Sequence, residues 1–168
     1  MRLRETLNLP LSARDVPAMY ADGDYTAIRR DVLRASSAES TVEGGSSGAF
    51  TVRTELALPT DRVPDIVRPF VGSSVTVREQ QSWSVPEEDG SRRGELALEV
   101  AGTPASMKAT LTLSPAGETS STVEIAGDLV AKVPLLGARM EKAAVPYVAQ
   151  VLRAEERAAT TYRDSHSG

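Results

Sequence analysis

Three polar side chains stand where the pattern calls for apolar ones. Residues 2 to 9 alternate, with Leu3, Glu5, Leu7 and Leu9 on one side, and a later segment puts Val75, Val77, Glu79, Gln81 and Trp83 on one face. A carboxylate drawn into an apolar face is costly unless paired. Burial raises its pKa, which is the state a general acid or base requires. Placed in one cavity, Glu5 and Glu79 would move protons on a bound carbonyl compound. The bland alternatives are a one-residue slip that returns Glu79 to solvent, or an ion pair with Arg92 or Arg139 at a cavity rim. A structural role is the expected one, because ion-pair networks also perturb carboxylates, so no residue is assigned as catalytic and Glu5 and Glu79 remain the candidates.

The other constellations carry less chemistry. With no cysteine in the chain, thiolate nucleophiles, disulfides and thiolate zinc sites are excluded. The only histidine, His166, stands two residues from the end, where fraying is expected, which argues against imidazole catalysis or ligation. Asp22 and Asp24 offer oxygens to a hard cation, but no third ligand follows in a spaced loop, so they read as turn and cap residues. Glu87, Glu88 and Asp89 precede Gly90 as a solvated hairpin tip. The Gly44–Gly48 loop lacks the lysine and helix of a phosphate loop. Neither a metal nor a cofactor is expected.

The elements that position these groups follow from hydrophobic periodicity. After the first strand, Ser12 and Asp15 read as a reciprocal cap of a short helix disturbed by Pro17, and Tyr25, Ile28, Val32 and Leu33 recur at helical spacing to about Arg34. From Ser36 to about Val133 the period changes to two, with turn residues at Gly44–Gly48, Asp89-Gly90 and Pro115–Gly117, as in an antiparallel sheet. The inward faces read Val52, Thr54, Leu56 and Leu58; then Gly94, Leu96, Leu98 and Val100; then Ala105, Met107, Ala109, Leu111 and Leu113; then Ser121, Val123 and Ile125. Between two of these strands Val63, Ile66, Val67 and Phe70 suggest a short helix interrupted by Pro64 and Pro69. From about Leu135 to Asp164 a stripe of Leu136, Met140, Ala144, Tyr147, Val151, Ala154 and Ala158 makes one helix, with a kink expected near Pro146. The fold class is α+β: about seven antiparallel strands in a curved sheet wrapped around a long C-terminal helix, with two short helices after the first strand. One domain over residues 1–164 and a disordered tail at 165–168 are expected.

This element order resembles the helix-grip fold of the START-like, polyketide-cyclase (SRPBCC) superfamily, over nearly the whole chain. Within it, "LNLPLSARDVPAMYADGDYTAIR", "VTVREQQSW" and "LGARMEKAAVPYVAQVL" are similar to a family of uncharacterised actinobacterial proteins, which implies fold and not activity. The superfamily implies a cavity between sheet and long helix, often used for lipids, sterols, polyketides or plant hormones.

The residues supply their own reason to expect a cavity. Gly94, Ala105, Ala109 and Ser121 bring little volume to the inner face, while interiors pack to a density of about 0.75. The expected ligand-binding residues are accordingly Leu7, Val52, Leu56, Val77, Trp83, Leu98, Met107, Ala109, Leu111, Val123, Met140, Ala144 and Tyr147, with the Tyr147 hydroxyl a candidate donor to a headgroup.

Charge and composition bound the function. A net charge of −4 and 4% aromatic residues argue against nucleic acid, and the pairs Arg29-Arg30 and Arg92-Arg93 read as a solvated helix face and a hairpin flank. No run approaches a membrane span, and Arg4, Glu5 and Asn8 interrupt any signal-like opening, so a cytoplasmic location is expected. The reading is a small-molecule binding protein for an apolar or amphipathic ligand, with oligomeric state unassigned. The alternatives are a cyclase, dehydratase or isomerase using the glutamates, and a protein-interaction module with a filled core.

Overall fold

The computed structural model describes residues 1–166. Seven strands form one antiparallel sheet: β1 (Arg2–Leu9), β2 (Ser37–Gly44), β3 (Phe50–Pro59), β4 (Ser74–Trp83), β5 (Arg92–Val100), β6 (Ala105–Pro115) and β7 (Ser121–Ala131), in the order β1-β7-β6-β5-β4-β3-β2. The helices are α1 (Val16–Tyr20), α2 (Gly23–Val32) and α3 (Gly137–His166). Strands β1 and β2 lie at opposite edges, so α1 and α2 carry the chain across the sheet between them, and α3 packs on α2, β1 and β7.

The period-two segments pair in the register that puts their apolar sets together. Leu7 opposes Val123, Leu56 opposes Val77, Leu98 opposes Met107 and Leu111 opposes Ile125. All eight residues are buried in one core beneath α3. Two close approaches tighten this sheet. A Cβ on Gly94 would lie 2.9 Å from the Trp83 ring, and one on Gly127 would lie 2.6 Å from the Ala109 Cβ. The small residues there admit neighbours rather than leave space.

Helix α1 begins at Val16, not at Ser12. Ser12 instead closes a turn, its hydroxyl accepting from the Asp15 amide at 3.2 Å, and Pro17 falls in the first helical turn, where no donor is needed. Asp22 caps α2 through the Asp24 amide at 2.9 Å. The helix ends with Arg34 at a φ of 56°. Where a helix was expected between β3 and β4 there is only a 3-10 turn, Arg68–Phe70. Pro64 before it and Pro69 within it leave too few donors for a longer one.

Helix α3 is continuous through Pro146, whose ring removes the bond that would reach the Lys142 carbonyl. It also runs past Asp164. His166, expected to fray, stacks on Tyr162 at 3.9 Å and approaches Asp24 at 3.2 Å, while Ser165 donates to the Tyr162 carbonyl. Of the expected tail, residues 167 and 168 lie outside the described residues.

Candidate functional site

Two features lie between the sheet and α3: a buried ionic cluster and an apolar cavity. The cluster is built on Arg29. Tyr25, Arg29 and Leu33 recur every four residues, so the guanidinium follows Tyr25 into the core instead of joining exposed Arg30 in water. The expected solvated Arg29 is therefore corrected: it is 5% exposed and grips Glu79 with both terminal nitrogens, at 2.9 and 3.0 Å. Glu79, 6% exposed, faces inward as its strand parity requires.

Glu155 on α3 completes the cluster and has no counterpart in the expected site. It is 4% exposed and accepts from the Tyr25 hydroxyl at 3.3 Å. Burial chiefly, and secondarily the Glu79 charge, push its pKa up to about 7 against the opposing pull of Arg29. Burial works against the Arg29 cation, but Glu79 and Glu155 outweigh it and hold the pKa above the ordinary value. Burial and Glu155 likewise raise the phenols of Tyr20 and Tyr25. An aromatic wall closes this end, with Tyr20 stacked on Trp83 at 5.7 Å and edge-on to Tyr25 at 5.8 Å. Trp83 thus anchors the core, and its ring nitrogen donates to Gln81 at 3.1 Å. The Arg29 Nε is left without a partner among the described residues.

The glutamates are not brought to one cavity. Glu5 accepts from Arg153 at 2.9 Å and Glu79 from Arg29, so the ion pairs form, with partners other than Arg92 and Arg139. Both Glu79 oxygens are occupied, which leaves it neither a free base nor an exposed acid. Arg92, expected on a solvated flank, is also buried. It shares the parity of Gly94, Leu96 and Leu98, and its fork donates to the carbonyls of Ser46, Gly48 and Ser84 at 2.5, 2.7 and 3.2 Å. It pins the Gly44–Gly48 loop, with its guanidinium 5.5 Å over Phe50.

The cavity lies farther along the sheet and holds ≈ 50 Å³. Its walls are Val75 and Val77 of β4, Leu98 and Val100 of β5, Ala105, Leu129 and Ala131 of β6 and β7, and Met140, Ala144, Tyr147, Val148 and Val151 of α3. Val63, Pro64, Val67 and Val71 cover it from the β3–β4 connection, and Thr103, Glu141 and Tyr147 border it without exposing a polar atom to it. Of the expected ligand-binding residues, Val77, Leu98, Met140, Ala144 and Tyr147 border this space. Leu7, Val52, Leu56, Trp83, Met107, Ala109, Leu111 and Val123 are buried in the surrounding core and do not border it. Of the four small residues expected to leave room, only Ala105 does so.

The cover is attached differently from its surroundings. Between Thr60 and Ser73 only Val63 is buried. Among the described residues, the segment's hydrogen bonds close on itself: Arg68 donates to the Val63 and Asp61 carbonyls, the Val67 amide to Pro64, and the Thr60 hydroxyl to Ser73. Apolar contact alone holds it to the cavity, so lifting it breaks no hydrogen bond to the body of the protein.

Asp22, Asp24 and His166 bring three ligand atoms within 4.8 Å of one another, the third group that sequence spacing did not supply. Asp22 already caps α2 and accepts from Tyr162 at 2.8 Å, and His166 bonds Asp24, so these contacts account for the cluster without an ion.

The profile of the family described as "Protein of unknown function (DUF2505)" matches residues 4–162. No functionally curated protein matches the chain. Solved structures similar to it include TTHA0849 from Thermus thermophilus, at 16% identity, 96% of this chain, 99% of that one and a TM-score of 0.61. The Zhui aromatase/cyclase from Streptomyces sp. R1128 is similar at 12% identity over 100% of this chain and 96% of its own, with a TM-score of 0.61. A START superfamily protein from Mycobacterium smegmatis is similar at 13% identity over 96% and 98%, with a TM-score of 0.57. These likenesses show the START-like helix-grip fold. No helix among the described residues is long and apolar enough to cross a membrane.

Proposed function

We propose that this chain, which belongs to the DUF2505 family, is a small-molecule-binding protein that takes an apolar or amphipathic ligand between its sheet and α3. The observation that carries this reading is the apolar cavity under a cover that, among the described residues, has no hydrogen bond to the rest of the protein. At ≈ 50 Å³ the space is far below the roughly 300–1,000 Å³ of ligand pockets, so a guest is admitted by outward movement of the 60–73 segment. Apolar burial at about 25 cal/mol per Å² drives the exchange of the cover's contacts for those of the ligand. The occurrence of an aromatase/cyclase on the same fold supports a small-molecule reading. The full occupation of Glu79 by Arg29 favours binding over proton transfer. We place this activity in the cytoplasm, in an actinobacterial lineage.

Native mass spectrometry of protein purified from its own source tests the reading. An adduct of a few hundred daltons, released on denaturation, is expected. The bare polypeptide mass, together with failure to take up any apolar compound, would favour the interaction module with a filled core.

A further inference from the structure

A second cleft, of ≈ 560 Å³, opens beside the cavity and shares Tyr147 and Val151 with it. Its rim is formed by the end of α2, the start of the β3–β4 connection and the middle of α3. Arg34, Arg62, Arg153 and Arg157 line it, against Asp61 as the one carboxylate. The protein as a whole is acidic, at a net −4, so this concentration of cations runs against its overall charge.

Three of the four arginines are left without a counter-charge among the described residues. Only Arg153 has an ion-pair partner, Glu5; among the described residues Arg34, Arg62 and Arg157 have none. Arg153 and Arg157 stand one helical turn apart on α3, a like-charge spacing that weakens a helix. Arg34 holds a left-handed φ of 56° at the end of α2, where glycine or asparagine is the unstrained choice. Clustered guanidinium groups offer paired N–H donors matched to carboxylate and phosphate oxygens.

We propose that the ligand is an amphipathic anion whose apolar chain enters the cavity beneath the 60–73 cover while its carboxylate or phosphate group sits in the arginine cleft. This deepens, and rests on, the small-molecule reading given above. Tyr147 and Val151 mark the junction where chain meets headgroup, and the Tyr147 hydroxyl, which has no hydrogen-bond partner among the described residues, stands there as a further donor. The cover connects the two halves. Arg62 stands near its start on the cleft side and Val63, the next residue, is buried over the cavity, so an anion drawn to Arg62 acts on the segment that must move.

The test compares four probes of equal chain length by titration calorimetry below their micelle concentrations: dodecanoate, dodecyl phosphate, dodecanol and dodecyltrimethylammonium. It is run on the wild-type chain and on an Arg62→Gln/Arg157→Gln double variant, both positions being exposed and unpaired. Dodecanoate and dodecyl phosphate are expected to bind at least about tenfold more tightly than dodecanol or the ammonium compound, a preference that weakens with added salt. The double variant should lose that preference and keep its affinity for dodecanol. Equal binding of dodecanol and dodecanoate by the wild type overturns the headgroup assignment and leaves the apolar cavity standing. Failure of all four probes overturns both. Saturable binding of inorganic phosphate in the cleft without binding of any dodecyl probe makes the cleft a free-anion site and overturns the amphipathic ligand.

Discussion

Replacing Glu155 with glutamine should make the protein's stability nearly independent of pH between about pH 5 and 7, where the wild type loses stability as pH rises. Around Glu155 stand Tyr20 from α1, Tyr25 and Arg29 from α2, and Glu79 from β4. Burial is the largest influence and Glu79 adds to it, so the folded-state pKa is raised from 4.5 to about 7. A carboxyl whose pKa is higher folded than unfolded binds more protons in the folded state. Its contribution is fully present below the unfolded value and is lost as pH rises through the folded one. At about 1.4 kcal/mol per pH unit the full effect is about 3 kcal/mol, of which about 2 falls between pH 5 and 7. Urea unfolding midpoints at several pH values measure it, with His166→Asn in both backgrounds so that no imidazole contributes. Carboxylates held low, such as Glu141 bonded to the Ala131 amide and the N-terminal amine, act in the opposite sense only as pH falls through their lowered range. An identical slope in the Glu155→Gln variant would refute the placement of a protonatable carboxyl beside Arg29 and Tyr25.

Glu79→Gln should cost about 3–5 kcal/mol, because it leaves the Arg29 cation buried without its bidentate partner, whereas the paired change Arg29→Met/Glu79→Leu should cost far less; denaturant midpoints of both variants decide. Ala144→Leu should hold or raise the melting temperature and abolish ligand uptake, since Ala144 borders the ≈ 50 Å³ void. Ala109→Phe should instead lower stability by about 1–3 kcal/mol, because Ala109 is pressed against Gly127. Arg92→Lys keeps the charge but loses the fork that spans three loop carbonyls. It should lower stability by about 1.5–3 kcal/mol and expose the 44–49 loop to protease, read by denaturant unfolding and limited digestion.

The fold was legible because its signal is periodicity. Alternation in β1 and β3 to β7 and the α3 stripe each point one face inward, and α3 has a single side on which to meet the sheet. Even Ser37–Gly44, the segment with the faintest alternation, takes its place as the edge strand β2. The site was harder to read because its polar members sit in that same pattern under residue types usually assigned to water. Arg29 follows Tyr25 by four residues, Arg92 shares the parity of Leu96 and Leu98, and Glu155 lies between Val151 and Ala159 at the same spacing. Treating arginine pairs as solvated faces concealed the first two, and restricting the α3 stripe to apolar residues concealed the third. The cavity was misplaced for a different reason. Small residues signal either space or close approach, and only tertiary packing shows that Gly94 admits Trp83 and Ala109 meets Gly127, while Ala105 and Ala144 border the void.

The central claim, that the space under the 60–73 segment opens to an apolar chain, is tested most directly by methyl-resolved NMR during titration with dodecanoate. Saturable shifts of the Val71, Val75, Met140 and Val148 methyls are predicted, with Leu113 and Val123, which do not border the cavity, left in place. Unchanged cavity methyls up to the solubility limit, or shifts confined to exposed Leu135 and Leu136, would contradict it.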